Sequence, residues 1–227
     1  MRFWKMNGAG NDFVILNNLE EHLLLDQLPQ IARTLCERHM SIGADGLMVV
    51  DAPSQGGDYR MLFYNSDGSV GEMCGNGARC ICRYGYENGL AGETQTVETT
   101  AGIVTGRRID QRLYRIRLND PTTVRLDSPV EADGVTYVCS YVELGNPGIP
   151  HAVEDFTYAC GTGTGSVVTV LTLQGKVSGH GVQVDMTGGR LVIDAERVHS
   201  HIASLYLTGP TNVVCRGEVT DEDLIIM

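Results

Sequence analysis

Two cysteines, Cys74 and Cys160, each open a glycine-rich turn that leads into an apolar helical run. The first reads MCGNGARCICRYGYENGL from Met73 to Leu90, the second ACGTGTGSVVTVLTLQGKV from Ala159 to Val177. Both have the form Cys-Gly-polar-Gly. A glycine-containing strand start follows each at nearly the same distance, TTAG ending at Gly102 and MTGG ending at Gly189. The pattern is that of a duplicated unit with one thiol per copy. It predicts strands wrapped around one central helix in each half.

The stretches between these landmarks fill in the plan. Phe3 to Leu16 reads as a strand, a tight turn from Asn7 to Asp12, and a second strand. Leu28, Ile31, Leu35 and Cys36 have helical spacing over 28–38. Leu47 to Val50 is a buried strand, and Tyr59 to Tyr64 another, closed by the turn residues Asn65-Ser66-Asp67-Gly68. Asn88-Gly89 is a C-cap for the first cysteine helix. Strands dominate from Thr94 to Leu118, the last with Leu113, Arg115 and Arg117 in alternation. Pro121 marks the boundary between the halves. Strands at Val135–Leu144, Val182–Met186, Leu191–Ile193 and Ser204–Leu207 then frame the Cys160 helix.

Bulk properties bound the function. A chain of 227 residues permits one large domain or two small ones. The net charge of −11 argues against nucleic acid or an anionic membrane surface as partner. No apolar run reaches the length of a membrane span, and MRFWKMNGAGNDF has no signal-peptide apolar region. Seven cysteines without disulfide-framework spacing point to a reducing, cytoplasmic setting.

The two turns carry the chemistry. A cysteine at a helix N-terminus meets unpaired N–H groups and the positive end of the helix dipole, which lowers its pKa and favours thiolate. The same N–H groups suit a carboxylate. Two such ends facing one ligand would bind an amino acid carboxylate and stabilise charge moving onto it as the α-proton leaves. One thiolate would remove the proton and one thiol would return another to the opposite face. That scheme needs neither metal nor organic cofactor. The other cysteines read as small core residues: Cys36, Cys139 and Cys215 singly, Cys80 and Cys82 within the first helix. The C-x5-C-x-C spacing of Cys74, Cys80 and Cys82 does not suit zinc. Gly75-Asn76-Gly77 lacks the Lys-Ser/Thr of a phosphate loop.

The sequence resembles the diaminopimelate epimerase family. The matching stretches are KMNGAGNDF, GADGL, FYNSDGSVGEMCGNGARC, TTAG, ACGTGTGSV, MTGG and YLTGPTNVVCRGEV, which span nearly the whole chain. The resemblance implies an α+β fold of two pseudo-symmetric domains, each a mixed or antiparallel sheet around a central helix. These would be residues 1–120, with 211–227 returning to them, and residues 121–210, with the active site between. It implies Cys74 and Cys160 as the acid/base pair. Asn11, Asn65, Gly75, Asn76, Gly161 and Thr162 would be the substrate contacts. No cofactor or metal is expected. The partner is an amino acid substrate, in a cytoplasmic enzyme that family members build as a homodimer.

One departure stands out. Where the family has a longer stretch after its Asn-Pro-His site, here GNPGIPHAV runs directly into the second cysteine motif. A segment is lacking between Val153 and Glu154. In the family that segment holds the far end of the substrate and helps tune the thiols. His151 matches the family histidine and is a candidate thiol-tuning residue, with Asn146 a candidate for the asparagine of that site. A true deletion would remove core elements against a typical total stability of about 5–15 kcal/mol. The expectation is therefore that the molecule carries the segment and epimerises LL-diaminopimelate to the meso form. The alternatives are a racemase of another amino acid such as histidine, or an inactive relative if the deletion is real.

Overall fold

In the computed structural model the described residues are 1–71, 73–144 and 158–220. The fold is α+β and dominated by sheet. Strands β1 (Arg2–Gly8) and β2 (Asn11–Asn17) form a hairpin, followed by a short helix α1 (Asn18–Glu21) and α2 (Leu28–Cys36). Next come β3 (Gly46–Asp51), β4 (Tyr59–Asn65), β5 (Val70–Gly71) and α3 (Gly75–Glu87). A meander of β6 (Thr94–Thr99), β7 (Gly102–Arg108) and β8 (Leu113–Leu118) completes the first half. The second half contains β9 (Pro121–Ala132), β10 (Val135–Leu144), α4 (Gly161–Leu173), β11 (Val182–Met186), β12 (Gly189–Val198) and β13 (His201–Pro210). The last strand is β14 (Asn212–Glu218).

The duplication read from the sequence is visible in three dimensions. Each cysteine helix is followed by a three-stranded meander, β6–β7–β8 after α3 and β11–β12–β13 after α4. Their first hairpins close alike, Thr99 opposite Gly102 and Met186 opposite Gly189. Both closing glycines have positive φ, +103° and +140°, which a side chain would resist. Strands β8 and β13 pair antiparallel, from Leu118–Leu205 to Leu113–Pro210, and so join the two meanders into one sheet. Strand β14 returns to the first half and pairs with β1, Arg2 lying opposite Glu218.

Packing follows the side-chain pattern. Tyr114, Ile116 and Leu118 of β8 are buried and Arg115 and Arg117 point the other way, the period-2 signature of a sheet with one covered face. Helix α3 lies on that covered face, and Gly75 through Gly85 are all buried. A Cβ on Gly77 would come within 1.7 Å of the Met48 methyl, so the glycine leaves room for the end of that side chain between α3 and β3. Helix α2 covers the other face of β2, β3 and β4 with Leu28, Ile31, Ala32, Leu35 and Cys36. Each fully buried Leu or Ile contributes about 1.5–3 kcal/mol relative to exposure.

The second half is covered less completely. In α4 only Gly161, Thr164, Gly165, Val168, Thr169 and Thr172 are buried, and Val167 is 54% exposed. The β9–β10 hairpin stands apart from the main sheet and shows Val130, Val135, Tyr137, Val138 and Tyr141 to solvent.

Several expectations need correction. Strand β9 is absent from the sequence reading, because Pro121 and Pro129 at an exposed hairpin carry no inward-outward alternation. Strands β12 and β13 run longer than expected, and α2 stops at Cys36, before Arg38. Cys139 and Cys215 are exposed, one on the outlying hairpin and one on the edge strand β14. Cys36, Cys80 and Cys82 are buried as expected.

Candidate active site

The two cysteines occupy equivalent places. Cys74 is the N-cap of α3 and Cys160 the N-cap of α4, with φ/ψ of −118°/119° and −112°/110°. The extended backbone at each cap turns the chain into the helix and leaves the first N–H groups of that helix without intrahelical partners. Both cysteines are half-buried and unbridged. The Cys160 sulfur accepts the Gly163 N–H at 3.2 Å, and the Thr162 hydroxyl lies 3.5 Å from it.

The helix starts touch. A Cβ on Gly161 would lie 3.6 Å from the Cα of Gly75. Leu207 of β13 supports both, since the same methyl would lie 2.9 Å from a Cβ on Gly75 and 2.7 Å from one on Gly161. The two chemical turns therefore converge on one spot above the β8–β13 seam.

The electrostatics of Cys74 correct a sequence-based expectation. Burial pushes its thiol above the ordinary value, and the neighbouring Cys160 sulfur adds to that push. The Gly77 and Asn76 N–H groups and the Arg79 charge pull it down without overcoming burial. No cap hydrogen bond of ordinary geometry reaches the Cys74 sulfur, which explains why the helix end compensates only in part. The expected lowering by the helix N-terminus is present but outweighed.

The remaining candidates fall into place unevenly. Gly75 and Gly161 are the first helical residues beside the thiols and Thr162 flanks Cys160. Asn76 is buried and its side chain is fully engaged: Nδ2 donates to the Ala159 carbonyl at 2.7 Å and Oδ1 accepts from Arg79 at 2.9 Å. Asn11 begins β2, opposite Gly8, at the turn that packs on the second half. Asn65 is exposed at the end of β4, and its amide donates to the Ser69 hydroxyl at 2.9 Å. Asn146 and His151 lie outside the described residues.

A contact missed by the sequence reading joins the β1–β2 turn to the second half. Gly10 at the β1–β2 turn has φ of +99° and abuts Tyr158, and a Cβ on Gly188 would come within 2.0 Å of the Ala9 carbonyl oxygen. Gly188 also donates its N–H to the Tyr158 carbonyl at 2.9 Å. The turn of the first half is thus seated on the second half beside the residue pair preceding Cys160. Behind it, Asp12 is paired with Lys5 at 2.7 Å and with Arg38 at 2.8 Å, and Arg38 also holds Asp45 at 2.8 Å. Two surface hollows, about 400 Å³ beside Asp110–Leu113 and about 450 Å³ beside Arg107, Arg115 and Tyr206, are lined by neither thiol. Among the described residues no group of three or more His, Cys, Asp or Glu is placed to hold a metal ion. No helix among them is long and apolar enough to cross a membrane.

Comparison with known proteins gives a consistent result. A family model described as diaminopimelate epimerase matches residues 3–114. A protein named diaminopimelate epimerase from Moorella thermoacetica is 35% identical over 281 aligned positions, covering 96% of this chain and 99% of the relative. Another of that name, from Caldanaerobacter subterraneus subsp. tengcongensis, is 31% identical over 285 positions, with 96% and 99% covered. These alignments run over more positions than the 227 residues here, so the relatives carry positions with no counterpart in this chain. Among solved structures, a probable proline racemase from Agrobacterium radiobacter superposes with a TM-score of 0.66 at 13% identity, covering 99% of this chain and 95% of the other. A hydroxyproline epimerase from Agrobacterium vitis gives 0.66 at 14% identity, covering 100% and 94%. At such identities the likeness speaks for the fold.

Proposed function

The chain belongs to the diaminopimelate epimerase family and is an isomerase, and on that premise we propose that it interconverts LL- and meso-diaminopimelate with two thiols and no cofactor. The observation that carries the reading is the convergence of two cysteine-capped helix starts, Gly161 against Gly75, over Leu207.

In this reading the α-carboxylate of the substrate sits on the N–H groups at the two helix starts, those of Gly75, Asn76, Gly161 and Thr162. The α-carbon lies between the sulfurs. One sulfur, as thiolate, takes the α-proton from one face. The electron pair left behind spreads onto the carboxylate, where the same N–H groups stabilise the added charge. The other thiol delivers its proton to the opposite face, and configuration inverts. The protein finishes with the protonation states of the two sulfurs exchanged. Asn11 and Asn65 are assigned to substrate binding at the periphery, and His151 and Asn146 to thiol tuning or substrate contact. The halves 1–120 with 211–227 and 121–210 act as the two jaws.

A second reading, racemisation of another amino acid on the same two-thiol site, is favoured by one fact: the relatives carry positions that this chain lacks. A panel of LL-diaminopimelate, L-histidine and L-proline, incubated with the protein under reductant and separated on a chiral column, distinguishes the two. Formation of the meso isomer alone supports the first reading. Inversion of a different member with diaminopimelate untouched replaces it with the second.

A further inference from the structure

Arg79 is completely buried in the first turns of α3. Its Nη1 donates to the Gly75 carbonyl at 3.1 Å and its Nη2 to Asn76 Oδ1 at 2.9 Å. Nε has no partner, and among the described residues no carboxylate pairs with the guanidinium. A buried cation without a counter-ion is costly, and it also opposes the helix dipole at this end of α3. The fold nevertheless makes room for it. A Cβ on Gly209 of β13 would come within 3.0 Å of the Arg79 Cζ and Nε, so the guanidinium is packed against a position that carries no side chain.

Two features of its surroundings point to one role. First, the bonds form a relay between the two helix starts: Arg79 to Asn76, and Asn76 to the carbonyl of Ala159, the residue before Cys160. With Oδ1 bound to a guanidinium and Nδ2 to a carbonyl, the Asn76 amide has a single orientation. Second, the Arg79 guanidinium binds the carbonyl of Gly75, the residue directly after Cys74, and its charge favours the Cys74 thiolate.

We propose that Arg79 is a positioning residue for the thiol pair: through Asn76 it fixes the Ala159–Cys160 backbone against the start of α3, and its unpaired charge favours one thiolate between the two helix starts. The inference rests on the two-thiol reading above. It accounts for a cost that packing alone does not repay, since an apolar side chain could fill the same space.

The test uses the full chain with Arg79→Met, Arg79→Lys and Asn76→Ala, each checked for folding by circular dichroism. Iodoacetamide alkylation is followed against pH with peptide mass mapping, which reads Cys74 and Cys160 apart from the exposed Cys139 and Cys215. Arg79→Met is expected to move the Cys74 midpoint upward by about one pH unit and to lower turnover at least tenfold. Arg79→Lys keeps the charge but cannot fork to both acceptors, so its midpoint stays and kcat falls while KM changes little. Asn76→Ala removes the bridge and is expected to follow the lysine variant. An unshifted midpoint in folded Arg79→Met overturns the charge role. Wild-type turnover in either Arg79→Lys or Asn76→Ala overturns the bridge, even if the methionine variant fails to fold. Alkylation needs no substrate, so a wild-type protein inert toward diaminopimelate would sink the functional reading and leave the charge test on Cys74 standing.

Discussion

A Cβ placed on Gly161 would stand 3.6 Å from the Cα of Gly75, so the starts of α3 and α4 meet backbone to backbone. The two residues follow the two cysteine caps directly, and both rest on the same Leu207 methyl. Spacing at this junction sets the spacing of the sulfurs. Gly161→Ala must displace Leu207, which is fully buried, and overpacking of this kind costs about 1–3 kcal/mol. Turnover is expected to fall further than stability, by roughly 100-fold, since a displacement near 1 Å matters to proton transfer. A chemical melt alongside a turnover assay checks both numbers.

Sulfurs placed to share one α-carbon are close enough to join when the cleft is empty. Mild oxidant is expected to abolish activity, and reductant to restore it. Peptide mapping should find Cys74 linked to Cys160, with the exposed Cys139 and Cys215 accounting for any bridges between molecules. Full activity after oxidation of the free thiols would contradict facing sulfurs.

The acid sensitivity of the β1–β2 turn has a definite sign. Burial works against the Asp12 charge, but the hydrogen bonds and charges of Lys5 and Arg38 outweigh it and hold the carboxyl below its ordinary value. Such a group adds stability that is fully present above about pH 4 and fades as pH falls through the lower folded value. Asp12→Asn is therefore expected to lower Tm at pH 7, with the gap from wild type closing toward pH 2. A gap that stays constant with pH would rule out the ion pairs as its source.

The two halves differ in cover, and paired substitutions read this out. Leu205 is fully buried in β13, and Leu205→Ala is expected to cost about 2–5 kcal/mol. Val138 on β10 is 72% exposed, and Val138→Lys is expected to change stability by no more than about 0.5 kcal/mol. Urea denaturation measures both. A large loss in Val138→Lys would mean that the hairpin face is covered in the molecule.

The repeat was legible in the sequence because glycine and cysteine at fixed places report backbone needs directly. Gly102 and Gly189 take positive φ at matching hairpins, and Cys74 and Cys160 cap matching helices. Strand β9 was not legible, since a solvated hairpin with two prolines leaves no periodic trace. The Asn76–Ala159 bridge was also hidden, because it joins residues 83 apart through an amide that composition cannot orient. One clue was available: Arg79 is a charge four residues after Gly75 in a helix otherwise read as core, and a buried arginine needs acceptors. The raised pKa of the Cys74 thiol is hidden from the sequence for a related reason, since the helix end is local and readable while the burial that opposes it depends on the whole fold.

The most direct measurement follows the α-proton of LL-diaminopimelate by NMR in D2O with reductant, for the wild-type chain and for Cys74→Ala and Cys160→Ala. The wild type is expected to exchange the α-proton for deuterium as the meso isomer forms. Each variant should be slowed by about 100-fold or more, the scale of a lost acid or base. Wild-type rates of exchange and inversion in either folded cysteine variant would contradict the two-thiol account.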